Sequence, residues 1–168
     1  MKAILERRSV RSFTSEPVSP QHLQTLLRAA MRAPSARNQQ PWEFLVLQNR
    51  ETLEAITDFH PYAVALKSAP CGILICADRN RVSAHPDTWV MDCSAATQNL
   101  LLEAVHLGLG AVWLTIHPYP DRLDGIRKLL KLPEHILPLC IVAVGHPDKT
   151  PQPMDTFLPE RIHYENWD

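Results

Sequence analysis

Three short stretches carry side chains whose types and spacing could do chemistry. The first is Arg7-Arg8-Ser9-Val10-Arg11, three guanidinium groups and a hydroxyl within five residues. A guanidinium donates two parallel charge-assisted bonds from a planar fork, which suits a phosphate. A solvated charge cluster at a helix end has the same composition. The second is Pro34-Ser35-Ala36-Arg37-Asn38-Gln39-Gln40-Pro41-Trp42. Prolines bound it, and Ser, Asn and two Gln offer donors and acceptors together, the mixed set a pyrimidine edge needs. A polar connecting loop would read alike. The third is Leu109-Gly110-Ala111-Val112-Trp113-Leu114-Thr115, where Gly110 permits close backbone approach and Trp113 offers a flat apolar surface. A buried strand is its plainer reading.

Other chemistries find less support. Glu103-x-x-His106 and Glu160-x-x-His163 have the spacing of di-iron carboxylate pairs, which need long facing helices. Glu160 follows Pro159 in an extended tail, so the second pair fails. The eight histidines and four cysteines give no zinc ligand set at usable spacing, and no metal is expected. No G-x-S-x-G marks a nucleophile. The five glycines among 168 residues form neither a dinucleotide fingerprint nor a P-loop.

The elements that must position these stretches are legible from period and punctuation. Residues 2–8 read as a short helix. Ser19 is an N-cap with Pro20 at the first helical position, and Leu23, Leu26, Leu27, Ala30 and Met31 make one apolar face up to Pro34. Residues 42–48 read as a strand, 50–57 and 61–67 as short helices, and the apolar run 71–77 as a central strand. The longest helix covers 87–107 and stops at Gly108. A third strand covers 110–116, a helix 120–130, and a fourth strand 137–144. The interleaving favours helices on both faces of a sheet. Residues 147–168 have four prolines before the closing Arg161-Ile162-His163-Tyr164-Glu165-Asn166-Trp167 and read as an extended tail that docks on something.

Composition closes off further classes. A length of 168 residues suits one domain with its own core. The net charge of −1 leaves no electrostatic footprint for nucleic acid or a membrane surface. No run reaches the ~20 apolar residues of a membrane span, and the first eight residues lack a signal-peptide core. Cys71, Cys76, Cys93 and Cys140 form no C-x-x-C and read as buried thiols of a reducing, cytoplasmic compartment.

Taken in order, these pieces resemble the short single-domain branch of the FMN-dependent nitroreductase family. The matching residues are Arg7-Arg8-Ser9-Val10-Arg11, then Ala33-Pro34-Ser35-Ala36 with Asn38 and Gln40-Pro41-Trp42. Gln98-Asn99-Leu100-Leu101-Leu102, Gly108-Leu109-Gly110-Ala111-Val112-Trp113-Leu114, Gly145-His146-Pro147 and the aromatic tail follow. The resemblance implies an α+β, three-layer sandwich with a mixed central sheet flanked by helices. It also implies a homodimer with two FMN molecules at its interface, each tail docking on the other copy. By position, Arg7 and Ser9 serve the phosphate end and Arg11 the N1–O2 edge of the ring, with Arg8 among the flavin-binding residues. Pro34, Ser35, Ala36, Asn38 and Gln40 reach the flavin held mainly by the other copy. The Trp113–Leu114 backbone lines the ring, and Gly145 with basic residues beyond it closes over the phosphate.

One departure stands out. Relatives often carry a Lys-x-Arg pair in the tail, and the equivalent positions here are Met154 and Thr156. Loss of two cations should weaken a phosphate clamp, with Lys149 and Arg161 the nearest substitutes. The implied reaction is ping-pong transfer of hydride from NADH or NADPH through flavin N5 to a small electron-poor acceptor: a nitroaromatic, quinone or enone. Reductive dehalogenation, flavin cleavage and non-catalytic flavin binding are the other chemistries the resemblance leaves open.

Overall fold

The computed structural model describes residues 2–149, 152 and 154–167. Its elements in chain order are α1 (Lys2–Glu6), α2 (Pro20–Ala30), β1 (Trp42–Leu47), α3 (Arg50–Phe59), β2 (Cys71–Asp78), α4 (Thr88–His106), β3 (Gly110–Thr115), α5 (Pro120–Leu130) and β4 (Ile136–Gly145). The sequence signals act where expected. The Ser19 side chain accepts from His22 N–H at 3.1 Å, capping α2 ahead of Pro20. Pro120 opens α5, and Gly108 with φ +74° ends α4 in the left-handed conformation that favours glycine. Residues 61–67 instead give a 3-10 turn at Val64–Lys67, too short for a helix. The tail holds one such turn at Pro159–Arg161, and Thr150, Pro151, Pro153 and Asp168 of it lie outside the described residues.

The sheet has the order β1-β2-β4-β3. The expected mixed sheet is antiparallel at every strand pairing; the parallel component is the isolated bridge from Ser9 to Ala111. A helix lies in each connection: α3 joins neighbours β1 and β2, α4 carries the chain past the place of β4 to β3, and α5 brings it back to β4 between them. β2 and β4 are central, and nearly all their residues are buried, as an apolar run requires when both faces are covered. Alternate side chains feed two cores. Ile73, Ile75, Cys140 and Val142 pack with α2 and α4, and Leu74, Ile141, Ala143 and Leu114 pack with α3 and α5. Helices, sheet and helices thus form the three layers of an α+β sandwich. Among the described residues no helix is long and apolar enough to cross a membrane.

All four cysteines are buried free thiols. Burial pushes Cys71 and Cys76 up to about 12 and raises Cys93 and Cys140 as well. His60, after α3, is 1% exposed, and neither of its ring nitrogens meets a hydrogen-bond partner. Burial first, and the nearby Arg122 cation second, hold its pKa below the ordinary 6.5. The neutral ring is therefore the folded form, while the unfolded chain takes up a proton more readily. This contribution to stability is full above about pH 6.5 and is lost as pH falls toward the folded pKa. Urea melts at pH 7.5 and 5.5 should show a smaller drop in stability for His60→Leu than for the natural chain. An equal drop in both would remove His60 as the cause.

Candidate functional site

The charged segment leaves α1 with Arg7 N–H on the Ala3 carbonyl at 3.0 Å and meets β3 through the Ser9–Ala111 bridge. Val10 N–H donates to the Ala111 carbonyl at 3.0 Å. Farther on, Thr14 N–H reaches the His146 carbonyl (2.9 Å) and Asp148 N–H reaches the Ser12 carbonyl (3.1 Å). The backbone is pinned at both ends, and Arg7, Arg8, Ser9 and Arg11 together line a cavity of about 930 Å³. That volume lies within the range of small-molecule sites. Ile4 and Leu5 give it an apolar wall, and residues 154–157 of the tail close another side. Among the described residues none of the three guanidinium groups is ion-paired. The cavity is thus cationic, offset only by Asp155, whose carboxylate accepts Phe157 N–H at 3.0 Å.

The tail residues divide. Met154 and Thr156 do line this cavity, whereas exposed Lys149 and Arg161 stand outside its lining. Gly145 is buried and presents no face to the cavity. A Cβ on it would lie 2.5 Å from Pro70 Cδ and 3.2 Å from Phe13 Cδ1. Its part is to let Phe13 and Pro70 close on β4, which anchors the charged segment.

β3 is an edge strand. Ala111 and Thr115 turn their carbonyls away from β4, to Val10 N–H and to the Arg122 guanidinium. By the alternation of antiparallel pairing, Trp113 also directs its backbone groups outward. The Leu114 side chain is buried in the α5-side core, so only its backbone borders the edge.

The 34–41 loop is unusual in its backbone. Arg37, Asn38 and Gln40 all have positive φ, at 51°, 53° and 45°. Pro34, Asn38 and Gln40 are exposed, while Ser35 and Ala36 are half-buried. The buried Asp92 carboxylate on α4 accepts Ala36 N–H at 2.8 Å and Gln39 Nε2–H at 2.6 Å. The Gln39 carbonyl accepts Ser83 and Ala84 N–H at 2.9 and 3.1 Å. Neither Gln39 nor Asp92 stood among the sequence-derived site residues. A signal existed for Asp92: it lies three residues after Trp89 and four before Ala96, both buried, so a carboxylate occupies a core position of the helix.

The two polar segments do not meet within one chain. The loop is tied to Asp92 near the start of α4, and Ser9 is tied to Ala111, just past its end. Fourteen residues from Asp92 to His106 span about 21 Å of helix. The compression at Gly145 makes a stability prediction. Gly145→Ala should cost about 1–3 kcal/mol, the usual penalty of overpacking, in urea unfolding. A change within measurement error would show that Pro70 and Phe13 yield freely.

The chain is similar to proteins already known. A protein of Methanothermobacter thermautotrophicus, named for NADH dehydrogenase or NAD(P)H nitroreductase activity, is 44% identical over 167 residues, covering 99% of this chain and 87% of its own. A structure from Clostridium acetobutylicum, named for NADH oxidase activity, superposes with TM-score 0.95 at 41% identity, covering 98% of this chain and 99% of that one. A nitroreductase of Desulfovibrio desulfuricans solved in complex with FMN has TM-score 0.83 at 29% identity, covering 99% and 96%. The family model of the Nitroreductase family matches residues 4–60 and 60–146, and with these relatives it establishes that the chain belongs to the nitroreductase family.

Proposed function

We propose that two copies of this chain hold two FMN molecules between them and pass hydride from NADH or NADPH to a small electron-poor acceptor, a nitroaromatic, quinone or enone. The observation that carries this reading is that Arg7, Arg8 and Arg11, free of ion pairs among the described residues, stand with Ser9 around a cavity of about 930 Å³. The FMN complex of the relative supports the same ligand class. FMN supplies the hydride chemistry, which no side chain of this chain performs.

The residues present fit that group. Arg7 and Arg8, with the Ser9 hydroxyl, bind phosphate oxygens through charge-assisted bonds. Met154 and Thr156 add no cation there, so these arginines carry the phosphate charge. The Arg11 guanidinium stabilises negative charge at the N1–O2 edge of the heterocycle. The outward backbone groups of Trp113 line the ring, and the backbone of its neighbour Leu114 borders the same edge. Pro34, Ser35, Ala36, Asn38 and Gln40 of the second copy supply donors and acceptors to the ring and exclude water from it.

Exposed apolar side chains support the pairing of copies. Ile4 and Leu5 on α1, Met91 on α4, and Phe157, Tyr164 and Trp167 in the tail stand in solvent, the last two at 83% exposure. Isolated chains seldom leave so much apolar surface uncovered. In this reading the tail, residues 147–168, docks on the second copy. The four buried free thiols fit a cytoplasmic protein.

Two measurements test the reading. Arg11→Ala should weaken FMN binding and slow anaerobic bleaching of the flavin by NADH or NADPH by about tenfold or more, the cost of one charge-stabilising donor. Unchanged bleaching in a fully loaded variant would remove that role. Arg11→Ala and Asn38→Ala chains should each be poorly active alone. Coexpressed, they form a mixed dimer with one site built from two natural halves, and activity should rise above either parent. A mixture no more active than its parts would put both halves in one chain.

A further inference from the structure

We infer that Asp92 and Gln39 act as a positioning pair, holding the 34–41 loop in the shape in which it meets the flavin of the second copy. The inference rests on the composite flavin site proposed above. Left-handed backbone is unfavourable for residues other than glycine, yet Arg37, Asn38 and Gln40 adopt it within four positions. Bonds inside the loop, such as Gln40 N–H to Ser35 Oγ at 3.0 Å, fold it on itself but do not fix it on the molecule.

Asp78 N–H to the Pro41 carbonyl (2.8 Å) and the Arg37 guanidinium to the Ser83 carbonyl (3.4 Å) hold the loop at its edges, and the buried tie at its centre is Asp92. Its side chain lies on a buried face of α4, and its oxygens reach Ala36 N–H and Gln39 Nε2–H, both in the loop. A buried carboxylate is a poor source of stability in itself, and specifying one conformation is its best-supported use. Gln39 then relays the tie outward. Its amide group donates to Asp92 and to Thr88 Oγ1 (3.1 Å), and its carbonyl accepts from Ser83 and Ala84. Each bond has a fixed direction. An ionised carboxylate only accepts and a backbone N–H only donates, so the Gln39 carboxamide has one satisfactory orientation. With Gln39 turned inward, its neighbours Asn38 and Gln40 face out.

The polarity of this chain of bonds supplies the test, on the full-length protein with FMN as the probe. Asp92→Asn, nearly isosteric, sets an amide donor against the Gln39 donor. Gln39→Glu sets two carboxylates together. In the double variant Asp92→Asn/Gln39→Glu the amide donates to the new carboxylate, whose other oxygen still accepts from Ser83 and Ala84. Each single variant should bind FMN about tenfold or more weakly by fluorescence titration, the effect of leaving a buried polar group unpaired. The double variant should recover most of that loss. Mixed with Arg11→Ala chains, Asp92→Asn chains should regain activity, a rescue that mere misfolding of Asp92→Asn does not allow. Gln39→Ala, at a half-buried loop position, provides a variant that keeps the fold and should also lose affinity.

Natural affinity in the single variants and in Gln39→Ala would overturn the pairing, as would a double variant weaker than both singles. Failure of the unaltered protein to bind FMN would instead overturn the flavin reading on which the inference rests.

Discussion

The length of α4 governs the arrangement of this molecule. Its 19 residues extend about 28 Å, roughly the width of the domain. The loop that offers hydrogen bonds is fastened to one end, and the segment that offers positive charge is fastened beside the other. No movement of side chains closes such a gap. In the proposed reading, a ligand that needs both sets takes them from two copies. In that reading the apolar side chains exposed on α1, α4 and the tail are covered by the second copy.

The charged end is built by packing rather than by a dedicated loop. Gly110 and Gly145 pair across β3 and β4. Val10 crowds the first, with its Cβ 2.8 Å from where a Cβ on Gly110 would stand, and Pro70 and Phe13 crowd the second. These close approaches draw the extended residues after α1 against the sheet. The arginines are then displayed from a backbone bonded to Ala111, His146 and Asp148. A chain with few glycines can in this way build an anion site without a glycine-rich loop, because its glycines serve contact with the sheet.

Much of this was legible in the sequence, and the physics explains which parts. Ser19 with Pro20, Pro120, and Gly108 are local signals that act through their own backbone, and the ends they mark agree closely with the structure. The continuous apolar run at 71–77 announced a strand covered on both faces. Strand direction was not legible, since hydrophobic pattern does not report whether a neighbour runs parallel. Asp87 appeared to start the longest helix, but its side chain makes no capping bond, and α4 begins at Thr88. The charged and polar segments were recognisable by composition and order. Their separation was not, because it depends on how far α4 carries the chain between them. The bond between Asp92 and Gln39 joins residues 53 apart in sequence, beyond any local rule.

The burial of every thiol has a practical consequence. The sequence contains four cysteines, and all are enclosed, Cys71, Cys93 and Cys140 in the core beside α4 and Cys76 in the core beside α3 and α5, with their ionisation suppressed. Thiol reagents attack the thiolate, so the native surface is chemically silent toward maleimides and spin labels. A single cysteine introduced in place of an exposed residue away from the tail, such as Lys128 on α5, becomes the one addressable position on the chain. Distances between labels on two copies can then be read by electron resonance or energy transfer without first stripping the natural cysteines away.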